Sequence, residues 1–156
     1  MNVRFEVSVN GKRLCTAGLD SYGVLSAVLS SVERNPVAEA KLCIQASIRE
    51  GSLELAWSYI LDYENDANPF EERLNAIAGW RRCAAIDTSE TDSLLQQARL
   101  LGQFGLKAKD ALHVACAMSM GCDYFVTTDD AILHCGRNLP DIVVIDPPSL
   151  IRELDL

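Results

Sequence analysis

Three carboxylates stand where an α/β protein could do chemistry. Asp129 follows the apolar run Tyr124-Phe125-Val126-Thr127, Asp110 opens an apolar helical stretch, and Glu64 comes a few residues after Leu53 to Trp57. Carboxylates brought together repel one another and tolerate proximity when a cation sits between them. Hard oxygen ligands suit Mg2+ or Mn2+. One or two such ions can activate a water and stabilise the oxygens of a phosphodiester displacement. Each acid also has a plainer use. Asp110 can stabilise a helix start by its charge, Asp129 or Asp130 can cap the helix after the strand, and Glu64 can be a solvated side chain. His113 lies one turn after Asp110 on the same face. Its plain reading is a partly buried polar contact.

The elements that must position these acids are legible as hydrophobic periods. Val3, Phe5, Val7 and Val9 alternate with polar residues, Asn10-Gly11 fits a two-residue turn, and Lys12 to Ala17 returns. That hairpin pairs Phe5 with Thr16 and Val7 with Leu14. A helix is expected over residues 21 to 33 with Asp20 as its N-cap, and Asn35-Pro36 restarts a second helix that Gly51 closes. Leu53 to Trp57 reads as a strand, followed by a short helix carrying Glu64. Asn68-Pro69-Phe70-Glu71 has an N-cap and a proline at the first helical position, so a helix should run to about Arg82. Ala84-Ala85-Ile86 is a brief strand, and Ser89 caps a helix that turns Leu94, Ala98 and Leu101 inward. Lys107 to Met120 is apolar on nearly every side, which implies a core helix. Tyr124 to Thr127 and Ile142 to Ile145 are the last strands, the latter stopped by Pro147-Pro148.

Strands alternating with helices of this length imply a three-layer α/β/α domain with a mainly parallel sheet, plus the N-terminal β-hairpin and helix. Sites in such sheets form beyond the carboxyl ends of the strands, where the three acids fall.

The stretch Gly105-Leu-Lys-Ala-Lys-Asp110-Ala-Leu-His113-Val-Ala115, followed by Gly121-Cys-Asp-Tyr-Phe-Val-Thr127-Thr-Asp129-Asp130, resembles the two carboxyl-terminal motifs of the PIN-domain family. Leu53-Glu-Leu-Ala-Trp-Ser-Tyr-Ile-Leu-Asp-Tyr-Glu64-Asn resembles its second strand and following helix, and Val143-Val-Ile-Asp-Pro147 its last strand. The resemblance runs from about Val37 to the end. It implies a ribonuclease that binds Mg2+ or Mn2+ and cuts single-stranded RNA, with Glu64, Asp110 and Asp129 as metal ligands. Thr127 would support the acids and Asp130 would be an auxiliary ligand. A toxin of a toxin–antitoxin pair, with an antitoxin protein as partner, belongs to the same expectation. The alternative is a catalytically impaired PIN-like module that binds RNA or a protein.

That family begins with a central strand ending in an aspartate. Here residues 1–35 read as hairpin and helix, set against a PIN-like unit over residues 36–156, and the acids of the first segment are Glu6, Asp20 and Glu33. Asp20 is the best substitute, since it follows an apolar strand and precedes a helix. A sheet lacking its central strand would leave strand edges unpaired and favour a homodimer.

Composition narrows the classes. The formal charge is −8, from 22 acids and 14 bases, which counts against tight, nonspecific grip on nucleic acid but suits a ring of carboxylates around a cation. The basic residues that cluster are Arg73, Arg81 and Arg82, with Lys107 and Lys109 further on. None of the six cysteines forms the two-residue spacing of a zinc knuckle or redox pair, so reduced, mostly buried thiols are expected. No apolar run is long enough to cross a membrane, and the N-terminus lacks the pattern of a secretory signal, which points to the cytoplasm.

Overall fold

A mainly parallel sheet with helices on both faces frames the acids. The computed structural model describes Arg4–Phe5, Arg13–Ala17 and residues 35–156. In chain order the described elements are β1 (Arg4–Phe5), β2 (Arg13–Ala17), α1 (Pro36–Arg49), β3 (Glu54–Ser58), α2 (Tyr59–Asp66) and α3 (Glu71–Arg81). There follow β4 (Ala84–Thr88), α4 (Asp92–Gly102), α5 (Ala108–Ser119), β5 (Tyr124–Thr127), α6 (Asp130–Gly136), β6 (Val143–Ile145) and α7 (Pro147–Leu154). The sheet order is β4-β3-β2-β5-β6, all parallel, with β1 antiparallel to β2. The α/β class expected from the alternation is the class observed.

Burial explains why β3 and β5 are apolar almost without interruption. A strand in the middle of a doubly covered sheet meets a helix layer on each face. Ala56 and Phe125 face one layer with Leu94 and Leu101 of α4, Val114 and Cys116 of α5, and Ile132 of α6. Leu55, Trp57, Tyr124 and Val126 face the other, with Ile44 of α1, Ile77 and Trp80 of α3, and Leu150 of α7. Each fully buried large apolar side chain contributes about 1.5–3 kcal/mol, so these two layers hold the strand ends in place.

The centre of the sheet differs from expectation. β2 does pair with β1 as a hairpin strand, with Phe5 opposite Thr16 as the alternation requires. It also runs parallel between β3 and β5: Leu14 lies opposite Leu55 on one edge, and Leu14 to Ala17 lie opposite Tyr124 to Thr127 on the other. The sheet therefore has its central strand, and no missing strand leaves an edge there that would call for a homodimer. Arg13 fixes the amino end of β2. Its guanidinium donates to the Met120 carbonyl at 2.7 Å and lies 3.4 Å from Glu54, and its backbone exchanges hydrogen bonds with Asp123. The Asn10-Gly11 turn, the Val7–Leu14 pair and the helix expected over 21 to 33 lie outside the described residues.

Helix starts show which local signals decide. Asn35 caps α1, accepting from the amides of Val37 and Ala38 at 3.1 and 3.3 Å, with Pro36 at the first helical position. α3 opens two residues later than expected. Phe70 holds the N-cap position, and Asn68 instead accepts from the Phe70 amide at 3.2 Å in a turn before the helix. Thr91 caps α4, in place of Ser89, by accepting from the Leu94 amide at 3.2 Å. Pro147 and Pro148 end β6 as expected but also open α7, capped by Asp146, which accepts from the Ser149 amide at 2.9 Å. Gly121, at φ 69, ends α5 in a left-handed conformation that suits glycine.

Among the described residues no helix is long and apolar enough to cross a membrane. The cysteines of residues 35–156 differ in exposure. Cys116 and Cys122 are buried, Cys43 and Cys135 half-buried, and Cys83 exposed, so burial is less general than expected.

Candidate functional site

Parallel pairing puts the carboxyl ends of β3, β2 and β5 side by side, with Ala17 opposite Thr127. Each end leads into a segment that bears an expected acid. Asp129 lies two residues past Thr127, Glu64 six past Ser58, and Asp20 three past Ala17 in the sequence. Asp20, like Glu6 and Glu33, lies outside the described residues.

Asp129 carries out its plainer role. Its Oδ1 accepts from the amides of Ala131 and Ile132 at 2.9 and 3.2 Å, capping α6. A carboxylate at a helix start is favoured by the positive end of the helix dipole. Thr127 is fully buried, and its Oγ1 accepts from the Asp129 amide at 3.0 Å, so the hydroxyl orients the segment that bears the acid. Asp130 is exposed, in the first turn of α6. Asp110 is half-buried in the first turn of α5, as expected.

Glu64 is not a solvated side chain. It lies on α2 with its side chain 13% exposed and meets two groups from α5. Lys109 Nζ approaches Oε1 at 3.4 Å, and Nε2 of His113 approaches Oε2 at 3.3 Å. His113 is 1% exposed. A lysine and a histidine one turn apart on α5 thus receive one carboxylate between them. The sequence reading placed His113 on the face of Asp110 but did not identify its partner. Lys109 is expected only as one of two lysines beyond the basic cluster, with no partner assigned. The spacing of Lys109 and His113 was a usable signal, whereas the identity of the acid opposite them was not.

The donors fit a metal incompletely. Among the described residues no three histidine, cysteine, aspartate or glutamate side chains gather closely enough to hold an ion. Glu64 is already faced by cationic and imidazole groups, so the described donors alone do not form a metal site.

A second set of contacts was missed entirely. Asp62, on the helix of Glu64, accepts from the Trp57 indole Nε1 at 3.0 Å and from Arg81 of α3, which also lies 3.7 Å from Asp87. This ties β3, α2, α3 and β4 together and consumes one of the arginines of the basic cluster. The role is structural: it holds α2, and hence Glu64, against the sheet.

No family model, no curated protein and no solved structure matches the chain.

Proposed function

We propose that this protein is a PIN-like ribonuclease that uses Mg2+ or Mn2+ to cut single-stranded RNA beyond the carboxyl edge of its sheet. The observation that supports it best is the position of β2, parallel between β3 and β5. The family it resembles has a central first strand followed by an aspartate, and here Asp20 comes three residues after the central strand. Glu64 and Asp129 follow the strands on either side. The described donors do not enclose an ion, so the reading requires a further acid, and Asp20 is the one the sequence offers. The test is incubation with single-stranded RNA and Mn2+. Cleavage is expected, with loss of at least roughly tenfold in Asp110→Asn, as for removal of a group in a metal's coordination environment. Cleavage by Asp110→Asn at the parent rate would overturn the reading.

A second reading, a non-catalytic PIN-like module that binds RNA or a protein, draws on the contact of Glu64 with Lys109, which compensates its charge without a metal. A tight Mn2+ site detected by calorimetry and lost in Asp129→Asn argues against it.

A further inference from the structure

Phe70 stands where the fold itself gains little from a phenyl ring. It holds the N-cap position of α3, where a side-chain oxygen is favoured and a ring accepts nothing. The side chain is 63% exposed, so burial does not compensate. The turn that presents it is nonetheless fixed. Asn68, 7% exposed, accepts from the Phe70 amide at 3.2 Å and leaves its own Nδ2 without a protein partner. Asn65 of α2 donates to the Leu74 carbonyl at 3.1 Å, which sets the ring relative to the helix that bears Glu64. The Arg73 guanidinium lies 5.8 Å from the ring centroid, within the range of a cation attracted to an aromatic face. Pro69, Phe70, Glu71, Glu72 and Arg73 are the described residues lining a cavity of about 390 Å³ here.

This combination selects among partners. The cores of protein interfaces are depleted of charge, and Glu71 and Glu72 repel a phosphate backbone. An unpaired nucleobase meets both demands, since its face stacks on a ring or a guanidinium plane while its edge is open to hydrogen bonds. Ionised carboxylates only accept, so they favour a base that presents an amino group, as cytosine and adenine do and uracil does not.

We propose that Phe70 is a stacking platform for one base of single-stranded RNA, with Arg73 beside it and Glu71 or Glu72 accepting from the amino group of the base. Cytosine or adenine is then preferred to uracil at this subsite. The inference rests on the function proposed above, in which single-stranded RNA is the substrate.

The experiment is fluorescence anisotropy of labelled oligo(C) and oligo(U) with the full chain in EDTA, with a thermal melt of each variant. The parent should bind oligo(C) more tightly than oligo(U). Phe70→Asn supplies the absent cap, so it should raise the melting temperature while weakening oligo(C) binding roughly five- to a hundredfold, the loss of one stacked base. Phe70→Trp should keep the affinity, and Glu71→Ala combined with Glu72→Ala should bring the two oligomers towards equal affinity. Parental affinity for oligo(C) in Phe70→Asn, a lower melting temperature in that variant, or no preference for oligo(C) in the parent overturns the inference. Binding with the expected changes but without Mn2+-dependent cleavage keeps the subsite and removes the nuclease. Cleavage that Phe70→Asn leaves untouched does the reverse.

Discussion

At the scale of single residues, the acids divide by what their neighbours let them do. Asp129 caps α6 and is steadied through Thr127, so its position is set by backbone. Glu64 is set by side chains of another helix, and His113 is the rigid one. Replacing His113 with leucine removes the buried partner of a carboxylate and should cost roughly 1–3 kcal/mol in urea denaturation. His113→Gln, whose amide can reach the same oxygen, should recover part of that. Equal stability of leucine variant and parent would show that the contact does nothing for the fold. The candidates Glu64, Asp110 and Asp129 were legible because each follows a recognisable strand or opens a recognisable helix. The contact between Glu64 and His113 was not, because it joins two helices far apart in the chain and leaves no local pattern.

At the scale of elements, caps were legible where a side chain and a proline agreed, as at Asn35-Pro36. They were ambiguous where one proline serves two roles. Pro147 ends β6 because it has no amide to donate, and for the same reason it fits the first position of α7. α7 is then tied to β5 by the Tyr124 hydroxyl, which donates to Glu153 at 2.6 Å. Burial, the hydrogen bond to Glu153 and the nearby charges of Glu153 and Asp123 push the Tyr124 phenol up to about 12, from 10.0. A raised folded-state value gives stability that is complete below about pH 10 and is lost as pH rises towards 12. Tyr124→Phe should therefore cost about 0.5–1.5 kcal/mol at neutral pH and show a flatter decline between pH 10 and 12 than the parent. An identical alkaline profile in both proteins would remove the tether from the account. The junction of α6 and β6 is tight in another way. A Cβ on Gly136 would overlap the side chain of Val144. Gly136→Ala should destabilise by about 1–3 kcal/mol through overpacking, read in thermal melts, and Val144→Ala should restore little of it because alanine keeps the Cβ that comes nearest.

At the scale of the whole molecule, the two edges of the sheet have different characters. The amino edge is closed by Arg13, Glu54 and Asp123, while the carboxyl edge leads into the segments that bear the acids. The α/β class was legible from the alternation of periods. The central place of β2 was not, because a hairpin is a local pattern and its parallel partners lie far away, with Arg13 meeting Asp123 across 110 residues. Deleting residues 1 to 35 removes that central strand. The remainder should lose cooperative unfolding, as followed by circular dichroism. A sharply melting fragment would mean that β2 is dispensable. The claim on which the functional reading turns is that a divalent ion binds at the carboxyl edge, and paramagnetic line broadening by dilute Mn2+ in the isotope-labelled full chain tests it most directly. The amides of Ser58, Asp110 and Asp129 should broaden first, with those of Arg13 and Glu54 spared. Broadening centred on Arg13 and Glu54, or spread evenly over the molecule, would contradict it.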